Sequence, residues 1–154
     1  SKSYAMTGWR IGYSLAPEHI TKVMSNYVSH STAAPSTLSQ WAAVEALTGP
    51  QDILERNRSG YQHRRDALCG GLREAGWDVK NSQATMFVWA KFPEGFSSSL
   101  EFVYELMDKT GVIGTPGSTF GSGGEGYIRF ALVQPPEVLK KATHKIKESG
   151  ILKK

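Results

Sequence analysis

The chain has 154 residues and a net charge of +4, with 40% hydrophobic and 21% charged residues, a make-up that fits a globular domain and not a disordered or fibrous chain. No apolar run of about 18 residues occurs, so no membrane-spanning helix is expected, and nothing reads as a signal peptide. The basic excess gathers in Lys140, Lys141, Lys145, Lys147, Lys153 and Lys154, and with no aromatic residues interleaved it reads as a solvated helix face and not as a nucleic-acid surface.

Taken in chain order, Ile11 to Leu15 is a short strand candidate. Pro17 then suits a first helical turn, and Ile20, Val23, Met24, Tyr27 and Val28 follow at helical spacing. After a small-residue loop, Ser36 is placed to cap a second helix running through Leu47. Thr48-Gly49-Pro50 breaks the chain, and a domain boundary is expected there, dividing residues 1–48 from 49–154. Leu54, Tyr61, Leu68, Leu72 and Ala75 mark one side of a long helix that Gly76 can end.

The remainder alternates strands and helices, which argues an α/β or α+β architecture. Phe87 to Lys91 reads as a strand, and Ser98-Ser99-Leu100-Glu101 as a capping box. Leu100, Val103, Tyr104 and Met107 then share one helical face, which Gly111 closes. Tyr127 to Val133 is the strongest strand signal, and a last helix begins at Pro135-Pro136-Glu137 with Val138, Leu139, Ala142 and Ile146 expected inward. The single cysteine, Cys69, cannot form an internal disulfide; it falls among helix leucines, where packing is the expected role, and fits a reducing, cytoplasmic setting. His19, His30, His63 and His144 show no metal-ligand spacing, so they read as helix-surface residues and no metal is implied.

Three stretches can carry chemistry. The first runs from Gly114 to Gly126 and contains a literal G-x-G-x-x-G at Gly121, Gly123 and Gly126. A dinucleotide site needs those glycines after a strand and before a helix, whereas here they lead into a strand. A connection in which backbone passes close to another group is therefore preferred. The second is Arg129, alone on the polar face of its strand with Tyr127 and Ala131, while Ile128, Phe130 and Leu132 face the other way. Its fork of donors suits a carboxylate, either that of a ligand or that of a structural ion pair.

The third stretch is the opening, Ser1-Lys2-Ser3-Tyr4-Ala5-Met6-Thr7-Gly8-Trp9-Arg10-Ile11-Gly12. It resembles the cofactor-attachment block of the class I, fold type I, pyridoxal-phosphate-dependent aminotransferases, with Ser1, Lys2, Ala5, Met6, Gly8, Arg10, Ile11 and Gly12 each fitting the pattern. The resemblance extends along the chain through Pro116-Gly117-x-x-Phe120-Gly121 and Tyr127-Ile128-Arg129-Phe130. One departure is Ala84, where the family usually has glycine.

The resemblance implies an α/β fold: the C-terminal edge of the large cofactor-binding domain in residues 1–48, followed by the small α/β domain in 49–154. Because the chain opens without Met inside this block, it reads as the C-terminal part of a longer protein. The cofactor implied is pyridoxal 5′-phosphate. Lys2 would be the catalytic amine that joins the cofactor aldehyde as an aldimine. Ser1 and Arg10 would be cofactor-binding, Arg10 on the phosphate, and Arg129 would hold the substrate α-carboxylate. The implied reaction exchanges an amino group between an amino acid and a 2-oxo acid, with alanine, aspartate or diaminopimelate-type substrates favoured. The resemblance also implies a homodimer, with the Ser31 to Ser36 loop near the partner's site. The rest of the pocket would lie upstream, leaving the isolated chain inactive. Two alternatives use the same residues: a carbon–sulfur lyase and the aminotransferase-like effector domain of a transcription regulator.

Overall fold

The computed structural model describes residues 1–153, so Lys154 of the basic group lies outside the described residues. Helices α1 (Glu18–Ser31), α2 (Thr37–Thr48) and α3 (Asp52–Glu74) come first, followed by β1 (Phe87–Lys91), α4 (Ser99–Thr110), β2 (Thr115–Pro116), β3 (Tyr127–Ala131) and α5 (Pro136–Glu148). Packing divides the chain into two compact units, Ser1–Ser59 and the part from Gly60 onward. The division falls inside α3, further along than the Gly49-Pro50 break. The first turns of α3 belong with the first unit because Asn57 donates to the Ser3 carbonyl.

The second unit is a two-layer α/β assembly. Its sheet runs in the order β1-β3-β2, all antiparallel, with β3 in the centre and Trp89 opposite Arg129. The pleat sends Val88, Ala90, Ile128 and Phe130 to one face, where they form a core with Leu68 and Leu72 of α3, Phe102 and Leu106 of α4, and Ile146 of α5. Trp77 seals this core edge-on against Phe102 and Phe130, at 5.3 and 5.8 Å between centroids. Its indole N–H donates to the Lys91 carbonyl at 2.7 Å, so the buried ring leaves no polar atom unmet. The helix ends follow their sequence signals. Gly76 and Gly111 take φ +95 and +70 just beyond α3 and α4, the left-handed conformation that glycine adopts without strain.

The capping box of α4 is split between two serines. Ser98 Oγ accepts from the Glu101 N–H at 3.1 Å, but the Glu101 carboxylate turns back to the N–H and hydroxyl of Ser97. The expected apolar face of α4 is also rotated. Leu100 and Tyr104 are exposed; Val103 is buried as expected, and Phe102 and Leu106 are buried beside it. Both sets have helical spacing; the second wins because Phe102 meets Trp77, Phe92 and Phe96 together. In α5, Leu139 and Ile146 point inward as expected, whereas Val138 is exposed and Thr143 takes the inward position beside them. Lys140, Lys141, Lys145 and Lys147 are all exposed on this helix.

The first unit has little core of its own. α1 carries its apolar stripe as expected, yet that stripe is open, from 38% exposure at Val28 to 72% at Tyr27. Ser39 alone is buried among the described residues of this unit. Ile11 to Leu15 do not form the expected strand, and Leu15 is 91% exposed. A strand needs a neighbour to satisfy its N–H and C=O groups, and the sheet of this chain lies entirely in the second unit. Ser36 stands at the N-terminus of α2, but its hydroxyl makes no capping bond there.

The α4 register sets a stability contrast. Phe102→Ala empties the centre of the core and is expected to cost about 3–5 kcal/mol. Leu100→Ala, on the same helix, should cost no more than about 0.5 kcal/mol. Urea unfolding of the two variants measures the difference, and equal losses would contradict this register.

Candidate active site

The block around Lys2 is a tight loop closed on itself. Met6 N–H donates to the Ser1 carbonyl at 2.7 Å and Ala5 N–H to the Lys2 carbonyl at 3.1 Å. A 3-10 turn over Thr7–Trp9 follows, and Arg10 leaves it in the left-handed conformation, with φ 50 and ψ 46. Ala5 also has positive φ, at 55. Two non-glycine residues held this way within one short loop mark a backbone fixed by its surroundings.

Three side chains supply that fixing. Ser39 of α2 donates to the Trp9 carbonyl at 2.8 Å, Asn57 of α3 to the Ser3 carbonyl at 2.8 Å, and Tyr4 to the Gln51 side chain at 2.8 Å. The Ser1 hydroxyl ties the loop start to its exit through the Ile11 carbonyl at 3.0 Å. None of Ser39, Gln51 and Asn57 is recognisable from the sequence, because each reaches the loop from a separate helix or turn. Lys2 and Arg10 are both exposed, and neither is in an ion pair with a carboxylate among the described residues. Among the described residues Arg10 reaches the Thr7 carbonyl, at 3.2 Å. Gly8, between them, faces open space where a Cβ would point. One loop thus offers a primary amine and a guanidinium that has no carboxylate partner among the described residues. That donor set fits pyridoxal phosphate, which presents an aldehyde and a phosphate dianion.

Arg129 lies in the second unit, on the face of the sheet opposite Ile128 and Phe130, beside Phe87, Trp89 and Tyr127. It has no acidic partner among the described residues, so the structural ion pair left open by the sequence is not formed. Its Nε is buried with no hydrogen-bond partner, and Nη2 reaches Thr115 Oγ1 only at 3.5 Å. An unsatisfied buried donor of this kind is costly, and an anionic acceptor at the guanidinium would relieve it.

The glycine-rich stretch folds back on itself. A Cβ on Gly117 would run into the Gly124 carbonyl, and one on Gly124 into that of Gly117. The close approach is therefore between two parts of one loop. Glu125 then fastens the loop to α4 by accepting from the Ser99 and Gly126 N–H groups. These backbone donors, Ser99 first, hold its carboxyl below the usual range. Where glycine is usual before β1, Ala84 is followed by Thr85 in the left-handed region at φ 74, with Thr85 Oγ1 accepting from the Phe87 N–H at 3.0 Å. Cys69 is fully buried, and burial pushes its thiol up, so packing is its role.

A profile of the family described as aminotransferase class I and II matches residues 1–146. The chain is 40% identical over 151 residues to LL-diaminopimelate aminotransferase of Halothermothrix orenii, covering 98% of this chain and 39% of that protein. It is 42% identical over 146 residues to LL-diaminopimelate aminotransferase of Dehalococcoides mccartyi, covering 95% and 37%. The crystal structure of an aromatic aminotransferase from Pyrococcus horikoshii superposes with a TM-score of 0.91 at 29% identity, over 97% of this chain and 41% of that one. The chain belongs to the class I and II aminotransferases, and its fold is that of the fold type I enzymes. It spans about two-fifths of the length of the relatives it matches.

The tethers make a local prediction. Ser39→Ala removes one bond of about 1 kcal/mol, so the amides of Ala5, Met6 and Trp9 should exchange with solvent about fivefold faster. Hydrogen exchange followed by mass spectrometry reads this, and unchanged exchange would show that Ser39 does not hold the loop.

Proposed function

We propose that this chain is the part of a pyridoxal-phosphate-dependent aminotransferase that supplies its catalytic lysine, a phosphate anchor and a substrate arginine. The observation that carries the reading is the loop from Ser1 to Arg10, whose backbone is held by outside tethers while its amine and guanidinium have no carboxylate partner among the described residues. When bound, pyridoxal phosphate supplies an aldehyde that condenses with amines and a ring that withdraws electrons.

The chain's own groups do the rest. Arg10 would hold the phosphate, for which a planar fork of donors is better suited than a point charge. The Ser1 hydroxyl, which donates to the Ile11 carbonyl here, would turn from it to the same anion when that anion is bound. The Lys2 amine would act as the base that takes the proton from the substrate Cα and later gives it up again. Arg129 takes the α-carboxylate, and holding the substrate at that end fixes which Cα bond faces the base. In this reading residues 1–48 are the edge of the cofactor-binding domain and 49–154 the small domain. The open stripe of α1 and the unpaired stretch from Ile11 to Leu15 support it, because both are surfaces made to be covered.

The substrate is an amino acid of the diaminopimelate type with a 2-oxo acid as its partner; the names of the relatives at 40 and 42% identity support this choice. The full-length protein works as a homodimer, with the Ser31 to Ser36 loop near the partner's site. It resides in the cytoplasm, where the one buried thiol needs no disulfide partner.

The test is a single half-reaction. Full-length protein loaded with pyridoxal phosphate is mixed in turn with diaminopimelate, aspartate, alanine and no donor. Conversion of the cofactor to its amine form is expected, at least about tenfold faster with diaminopimelate than with the others, the size of discrimination that a few side-chain contacts supply. Release of an elimination product without the amine form would make the enzyme a lyase, and no change with any donor would contradict the reading.

A further inference from the structure

The Arg129 side chain is held chiefly by rings, with one long hydrogen bond to Thr115 Oγ1. Its Cζ lies 4.3 Å from the ring centroid of Phe87 and 4.5 Å from that of Phe120, well inside cation–π range. The two rings come from different elements: Phe87 opens β1, and Phe120 ends the 3-10 turn Gly117–Phe120 in the glycine-rich loop. Trp89, opposite Arg129 in the register, packs edge-on against Phe120 at 5.5 Å and stacks on Tyr127 at 5.5 Å. The Phe120 ring is therefore supported by a second one, which is itself stacked on a third.

The donors of Arg129 are meanwhile unfinished, with Nε unpartnered and Nη2 at the limit of hydrogen-bond reach. A guanidinium whose flat faces meet rings keeps its rim of N–H groups for an acceptor. Rings also exclude the water that would otherwise compete for that rim.

We propose that Phe87 and Phe120 form an aromatic clamp that positions the Arg129 guanidinium for a substrate carboxylate, an inference that rests on the role given to Arg129 above. Both are positioning residues acting through Arg129. Phe120 is half exposed, so replacing it leaves the core intact and isolates the effect. Removing a ring keeps the positive charge but lets the side chain turn and hydrate. Carboxylate affinity then falls, whereas the reaction of amines without a carboxylate is untouched.

The experiment uses the full-length protein loaded with pyridoxal phosphate and titrates it calorimetrically with maleate, an unreactive dicarboxylate. Phe120→Leu and Phe87→Leu are each expected to weaken maleate about fivefold, and Phe120→Tyr to bind as the parent does. In parallel, half-reactions compare an amino acid with the amine lacking its carboxylate. Phe120→Leu should slow only the amino acid at subsaturating concentration. Unchanged maleate affinity in Phe120→Leu, with binding lost in Arg129→Leu, overturns the clamp and leaves the Arg129 reading standing. Unchanged affinity in Arg129→Leu overturns that reading and the clamp with it. Equal slowing of amino acid and amine in Phe120→Leu marks general damage and also overturns the clamp.

Discussion

Ile128 and Phe130 turn into the core on one side of β3 while Arg129, between them, turns out on the other, and this two-residue alternation keeps a guanidinium beside a hydrophobic core without burying its charge in it. A slip of one residue in the β1–β3 register would drive Arg129 into the space that Trp77 and Phe102 fill, at the cost of an unpaired buried charge. The central position of β3 makes such a slip improbable on physical grounds, because both neighbours fix it. Phe130 pairs with Val88 on one side, and Arg129 pairs with Thr115 on the other. The glycine-rich loop follows from the same arrangement. It returns the chain from β2 to β3 over residues 117–126, packing Gly117 directly against Gly124.

The first unit works by a different principle. It has almost no buried apolar surface, so hydrogen bonds set the conformation of the Lys2 loop. Ser39 and Asn57 each grip a loop carbonyl, and Gln51 accepts from the Tyr4 hydroxyl. Polar tethers of about 1 kcal/mol hold a short loop well enough only when several act together. They also leave its functional groups free: the contacts are made by Ser3, Tyr4 and Trp9, not by the Lys2 amine or the Arg10 guanidinium.

Local patterns made most of the fold legible in the sequence. Helical spacing located α1, α3 and α5, the glycines marked the ends of α3 and α4, and alternation in Tyr127 to Leu132 assigned every side chain of β3 to its face. The failures share a cause. Ile11 to Leu15 has strand composition, but strand formation depends on a neighbour that local sequence does not reveal. The face of α4 was ambiguous because two apolar stripes have the same spacing, and only the meeting of Phe102 with Trp77, Phe92 and Phe96 chooses between them. Val138 lost its inward place to Thr143 in the same way. At the candidate site, Lys2, Ser1, Arg10 and Arg129 were legible as a motif. Phe120 stood in the Pro116-to-Gly121 block and Phe87 in its strand, but nothing in their spacing showed that both rings would meet Arg129.

Borohydride reduction of the full-length protein loaded with pyridoxal phosphate, followed by peptide mass spectrometry, tests the assignment of Lys2 most directly. The reduction freezes a cofactor–lysine bond wherever it exists. The expected result is a single phosphopyridoxyl adduct on the peptide bearing Lys2, absent when Lys2 is replaced by Ala. An adduct confined to any other lysine, or none on the Lys2 peptide, would contradict it.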